Sequence, residues 1–336
     1  MKKLSIKQKI HHIHKSKHKI RRIWKSRQKS AKILPKINHR IVVHAPEILS
    51  LINENDRRLL LAFLRQIKDA VRNELKVHVL FGKTKRLHPC GMLLVLANIE
   101  ALLDLHPKSI SCNYPADDIV EQLFQHIGLL ALLGKHTPRK AITAENVRYW
   151  HYIKGISTDD VSKFKNLLHS INFNEEIQSG LFESLSEAVT NTIQHAYKNS
   201  EQKMWWLFAQ KKGDFFEIAV CDLGIGIPQS LRKKPAFKEF VDKPLQHYRN
   251  RKDTYLLQVA VGSSRSSTKL PHRGNGLKDM LEFAKTHELG GFRIFSAKGG
   301  FSYNSSNSEE SRKDYLTDIN GTIVQWQISL DSRHEE

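Results

Sequence analysis

Apolar residues along this chain recur at two spacings, and the spacing changes from one segment to the next. Ile48, Leu51, Ile52, Leu59, Leu60, Phe63, Leu64, Ile67 and Val71 follow a helical period, which predicts a helix over residues 46–75. Lys76–Phe81 alternates polar and apolar positions, as a half-buried strand does. Pro89 opens a strongly apolar helix, Met92 to Leu105. Ser109–Tyr114 reads as a strand, and Asp117 caps a helix that Gly134 stops after about Leu133. This strand–helix–strand–helix order predicts a small α/β domain with parallel strands over residues 41–135. Residues 136–160 carry Thr137-Pro138-Arg139-Lys140 and Gly155 and read as a linker.

A second domain is expected over residues 161–332. Leu181, Leu185, Ala188, Val189 and Thr192 give the segment Leu181–Ala196 one apolar helical face. Glu187 and Asn191, four apart, share another face. The strand Phe215–Cys221 follows a hairpin-like Lys212-Gly213-Asp214 and runs into Asp222-Leu223-Gly224-Ile225-Gly226. Arg273-Gly274-Asn275-Gly276-Leu277 leads into a helix from Lys278 to about Ala284. A strand Phe292–Ser296, a turn Lys298-Gly299-Gly300 and a last strand Gly321–Ile328 complete the run.

The polar residues in these elements suit a bound nucleotide. An amide oxygen at Asn191 can ligate Mg²⁺ without demanding its full dehydration. A neighbouring carboxylate at Glu187 can orient a water or take a proton. Asp222, at a strand end, can accept from an adenine amino group. Gly224 and Gly226 let the backbone approach a ligand closely. Glycines before a helix N-terminus, as at Gly274 and Gly276, expose N–H groups to an anion. Thr322 can hydrogen-bond a phosphate or the Asp–adenine network. Each of these features is also common in proteins that bind no nucleotide.

Their order is specific. ExxxN on a helix, DxGxG after a strand, GxGL before a helix and GT opening a strand resemble the GHKL ATPase superfamily. Gyrase B-type ATPases, histidine kinases and anti-sigma serine kinases belong to it. The resemblance covers about residues 165–330 and implies an α/β sandwich of the GHKL (Bergerat) type holding ATP and Mg²⁺. It implies Glu187 as the catalytic or water-orienting residue, Asn191 as the Mg²⁺ ligand and Asp222 as the adenine reader. Gly224 and Gly226 match its first glycine box, Gly274, Gly276 and Leu277 its second, and Gly321 and Thr322 its last motif. Residues 229–272 would then form an ATP lid, with Arg265 the residue expected to reach phosphate.

Residues 75–135 resemble a STAS-type domain, the fold of anti-sigma-factor antagonists, through the strand, the turn Leu87-His88-Pro89-Cys90-Gly91, the apolar helix and the closing Ile127-Gly128-Leu129-Leu130. Antagonists carry a phosphorylatable Ser or Thr just before that Gly. His88, Pro89 and Cys90 stand there instead, so a scaffold role is expected. A phosphoacceptor histidine is not expected either, because neither His151 nor His169 is followed by an acidic residue.

Charge changes the picture at one end. The chain of 336 residues has a formal charge of +20. Residues 1–40 hold 15 Lys and Arg and no Asp or Glu, leaving 39 basic and 34 acidic residues, a net +5, for the rest. In this arm Ile6, Ile10, Ile13, Ile20, Ile23 and Trp24 recur near helical spacing. It could bind nucleic acid by neutralising phosphates. It could equally lie on an anionic membrane, serve as a targeting segment, or be a solvated tail. Cys90, Cys112 and Cys221 form no CxxC pair, so neither a zinc knuckle nor a disulfide framework is indicated. No apolar run reaches the length of a transmembrane helix. A cytoplasmic protein is expected. Three readings stay open: an ATP-hydrolysing switch coupled to a protein or nucleic-acid partner, an anti-sigma-like serine/threonine kinase or regulator, and a non-hydrolysing ATP-gated module. A homodimer is compatible with all three.

Overall fold

The computed structural model describes residues 36–37, 39–137, 139, 141–169, 171, 173–197, 202–233, 252–262, 276–287 and 290–330. The expected arm lies almost wholly outside them. The order of elements begins β1 (Lys36–Ile37), β2 (Arg40–His44), β3 (Ile48–Leu49), α1 (Glu54–Arg72), β4 (Val77–Leu80), β5 (Arg86–Leu87), α2 (Pro89–Leu105), β6 (Ile110–Cys112), α3 (Asp118–His126) and α4 (Leu129–Leu132). Strands β2, β4 and β6 pair in parallel, with β1 antiparallel on the edge. The expected parallel α/β unit is therefore present.

Its boundaries differ from expectation in two places. The helix predicted from residue 46 starts at Glu54, because Asn53 caps it by accepting from the Asp56 N–H at 2.8 Å. Ile48 and Leu49 instead pair with Arg86 and Leu87. The helix predicted to reach Leu133 breaks at Ile127, since Gly128 adopts φ +78° and α4 starts afresh behind it.

The remaining elements are α5 (Glu145–Arg148), β7 (Trp150–Gly155), α6 (Lys163–His169), α7 (Glu175–Asn191), β8 (Trp205–Lys212), β9 (Phe215–Asp222), α8 (Ile227–Lys233), α9 (Asp253–Gly262), α10 (Gly276–Thr286), β10 (Gly291–Ser296), β11 (Gly299–Asn304), β12 (Glu309–Asp314) and β13 (Thr322–Ser329). Seven strands make one antiparallel sheet in the order β12-β11-β10-β13-β9-β8-β7. Residues 136–160, expected as a linker, thus supply α5 and the edge strand β7. Gly299 and Gly300, expected in a turn, belong to β11, and the turn before them is made by Ala297 and Lys298.

Alternation along the strands sends side chains to two different cores. Phe216, Ile218 and Val220 of β9 pack with α6, α7, α9 and α10 on one face. Ala219 and Cys221 pack on the other face, in a core shared with α1, α2 and the small parallel sheet. Helix α2 lies between the two sheets, packing against β8 and β9. That position explains its composition, since twelve of its seventeen residues are buried and no polar face is needed. Its one buried charge, Glu100, accepts from Tyr152 Oη at 2.7 Å, Trp206 Nε1 at 2.9 Å and Lys154 Nζ at 3.2 Å. Among the described residues no helix is long and apolar enough to cross a membrane.

Candidate functional site

Helix α7 crosses the helical face of the large sheet. Asn174 caps it by accepting from the Ile177 N–H at 2.8 Å, and two acidic residues occupy its first turn, where the helix dipole favours them. Its last α-helical residue is Asn191. The chain then widens into a π-helical turn, Thr192–Ala196. Such turns are rare and leave carbonyls free to serve other partners. Here Ala196 O accepts from the Ile225 N–H at 2.8 Å, which ties the end of the helix to the glycine loop after β9. Gly224 lies so close to this carbonyl that a Cβ there would overlap it. Lys203 Nζ closes the same turn by donating to Ile193 O at 2.6 Å.

Asp222 ends β9 on the helical face, in register with Thr322 at the start of β13. Its carboxylate accepts from the Gly224 N–H at 2.8 Å and from both the N–H and the hydroxyl of Thr322. Only 6% of it is exposed. Burial outweighs these hydrogen bonds and raises its pKa from 3.8 to about 7. Ser296, the register partner of Thr322 on β10, extends the chain of contacts. Its Oγ lies 2.9 Å from Thr322 Oγ1 and accepts from the Ile227 N–H at 2.9 Å. Gly226 sits between them at φ +80°. Tyr197 supports the loop from behind: its hydroxyl accepts from the Leu223 N–H at 3.1 Å and donates to Met204 O at 2.6 Å.

Glu187 and Asn191 do share a face of α7, and Asn191 Nδ2 donates to Glu187 Oε1 at 3.1 Å. That leaves the Asn191 amide oxygen for another partner. Gly276, the first residue of α10, is so near that a Cβ on it would overlap the Glu187 carboxylate. Leu277 packs against the helical core beside it. Partial burial raises the Glu187 pKa above its ordinary value; the Asn191 hydrogen bond opposes this and nearby Asp279 adds to it.

The structure therefore brings Glu187, Asn191, Gly276 and Leu277 together on one side, and Asp222, Gly224, Gly226 and Thr322 on the other, joined through α7 and its π turn. Arg265 and Gly274 lie outside the described residues. Part of the expected lid is ordinary packed structure. In α9 Leu256 and Leu257 are fully buried, and Arg232 of α8 pairs with Asp253 of α9 at 2.8 Å. Ser296 and Tyr197 escaped the sequence reading. Ser296 could have been found only from its place opposite Thr322, and Tyr197 had no signal beyond following the helix. No protein-family model matches this chain, and no curated protein matches it.

Proposed function

We propose that this protein binds ATP and Mg²⁺ through a GHKL-type domain and acts as a conformational switch that hydrolyses ATP slowly, coupled to a protein or nucleic-acid partner. A STAS-like unit on the back of a Bergerat sandwich is the fold that goes with this reading. One observation carries it: residues drawn from four separate sequence boxes interlock by direct contact. Asp222 is bonded to Thr322, Gly224 lies on the end of α7, and Gly276 touches Glu187. Unrelated turns and helices have no reason to converge so.

The donor set suits the ligands. Gly224 and Gly276 let the end of α7 and the Glu187 carboxylate come up against their backbones, which draws the boxes together. Asp222, when ionised, offers a buried acceptor to the adenine amino group. Asn191 Nδ2 is bonded to Glu187, which turns Oδ1 into the atom that would ligate a cation. Among the described residues no group of three His, Cys, Asp or Glu gathers to hold a metal, so Mg²⁺ here would depend on nucleotide phosphates for its other ligands. Bound Mg²⁺ would neutralise phosphate charge. Glu187, with its proton affinity raised by burial, is suited to orient a water and take its proton.

Incubation with labelled ATP tests this. Released phosphate is the expected product. Glu187→Ala should cut release by about 100-fold or more while ATP still binds. Asp222→Ala should abolish binding, and wild-type affinity in that variant would overturn the site. Labelled protein would point to the serine/threonine kinase reading, and unchanged bound ATP to a non-hydrolysing module. The switch is favoured over a built-in antagonist because the turn at His88–Cys90 faces the other side of the sheet. Cys90 is fully buried there, with Sγ 2.9 Å from Gln325 Oε1.

A further inference from the structure

A concave surface lies far along the chain from the candidate nucleotide residues. On β4 and β6, Val77, Val79, Ile110 and Cys112 point into the shared core. His78 and Ser111, paired in register between them, point the other way. They floor a cleft of ≈570 Å³ walled by Arg40, Lys108, Lys135 and His136. Among the described residues no carboxylate lines it. Arg40 spends its contacts on neutral carbonyls: Val77 O and Ser109 O through Nη1, and Lys108 O through Nη2, each at 3.3 Å. Those bonds hold the guanidinium in place without cancelling its charge. Lys135 Nζ rests over the Tyr114 ring at 5.0 Å, again beside a neutral group. The field in the cleft is felt by His78, whose pKa is lowered first by burial and then by Lys135 and Arg40.

We propose that this cleft seats the phosphodiester backbone of a single-stranded nucleic acid. Three cations line a recess whose floor is the uncharged His78–Ser111 pair, hydrogen-bonded to each other at 2.9 Å, so the charge that phosphate oxygens require comes from the walls. The recess is the size of a small-ligand site, so it admits one strand but excludes a duplex. A flat bilayer surface does not reach His78 and Ser111. Arg40 is also the last of the 15 basic residues that open the chain, and β1 and β2 run on directly from that acid-free stretch. This inference does not rest on ATP binding.

The test uses the full-length chain and a fluorescein-labelled oligo-uridine of roughly 20 nucleotides, followed by anisotropy across a KCl series. Lys108→Glu/Lys135→Glu should weaken binding about tenfold or more. It should also flatten the log–log salt dependence by about 1.4, or ~0.7 for each lost phosphate contact on a single strand. Lys108→Gln/Lys135→Gln should fall between this variant and wild type, with matching circular dichroism showing that the fold is kept. Phosphate release from ATP, measured without oligonucleotide, should be the same in both variants as in wild type, which separates this result from the nucleotide site. Wild-type affinity and salt slope in the Glu variant would overturn the proposal. So would a loss confined to vesicles containing phosphatidylserine, or to inorganic phosphate, with oligonucleotide binding intact.

Discussion

Asp222 is a carboxylate enclosed at the end of a strand, and its surroundings decide when it is charged. Its pKa of about 7 in the fold exceeds the ordinary 3.8, so the folded protein keeps a proton that the unfolded chain has already lost. Stability from this group is therefore present at low pH and falls as pH rises from about 4 through about 7, by on the order of 4 kcal/mol at most. Asp222→Asn should remove that fall. Urea unfolding at about pH 5 and pH 8 reads the difference; an equal pH dependence in both proteins would mean that Asp222 is ionised throughout. On the proposed role, ATP affinity should rise over the same window, because only the carboxylate accepts from adenine at both oxygens. At Gly224 the constraint is steric. Gly224→Ala drives a methyl into the Ala196 carbonyl, and overpacking of this kind costs about 1–3 kcal/mol, visible as a lower urea midpoint at unchanged slope. Both residues were recognisable from the spacing of their box. Ala196, which Gly224 abuts, and Ser296, which reaches Asp222 only through Thr322, were not, since those contacts depend on the π turn and on strand register.

Helix α2 shows what periodicity reports and what it leaves out. Its length, its Pro at the first position and its apolar content mark a helix in the sequence. A stripe would have told which side is buried, but α2 has none, because both sides are covered. Leu96 is 1% exposed between the sheets, whereas Leu105 at the helix end is 75% exposed. Leu96→Ala should cost about 2–5 kcal/mol, and Leu105→Ala no more than about 0.5 kcal/mol. Thermal unfolding of the two variants checks this, and comparable losses would contradict the sandwiched position. Strand β7 teaches the converse. The Pro, Gly and charge around residues 136–160 resemble a linker locally, yet Trp150–Gly155 pairs along its whole length with β8. A short edge strand has little alternation to read, and its partner lies about fifty residues away.

Across the whole molecule the two sheets share one core, and Arg57 pins them together from α1. It is fully buried, donates from Nη2 to Ala297 O at 3.0 Å and Thr317 O at 3.1 Å, and stacks 3.9 Å from the Tyr315 ring. Burial lowers its pKa to about 10, and among the described residues its Nε and Nη1 have no partner. Arg57→Ala would strand both carbonyls and open a void, a loss on the order of 2–4 kcal/mol. Because the core is common, the whole chain should unfold in one transition, with tryptophan fluorescence and far-ultraviolet circular dichroism coinciding before and after that substitution. Two separated transitions would show that the small unit and the large sheet are independent. The sequence by itself determined the α/β class, the parallel order of the small sheet and the spacing of the candidate nucleotide residues, because periodicity, caps and glycine turns act over a few neighbouring residues. Only the tertiary structure decided that α2 is shared by two sheets, that β7 closes the large one and that Ser296 completes the Asp222–Thr322 network. Arg57, a charged residue in an amphipathic helix, had every local reason to face water. Its burial depends on carbonyls some 240 residues away, a distance at which no local pattern carries information.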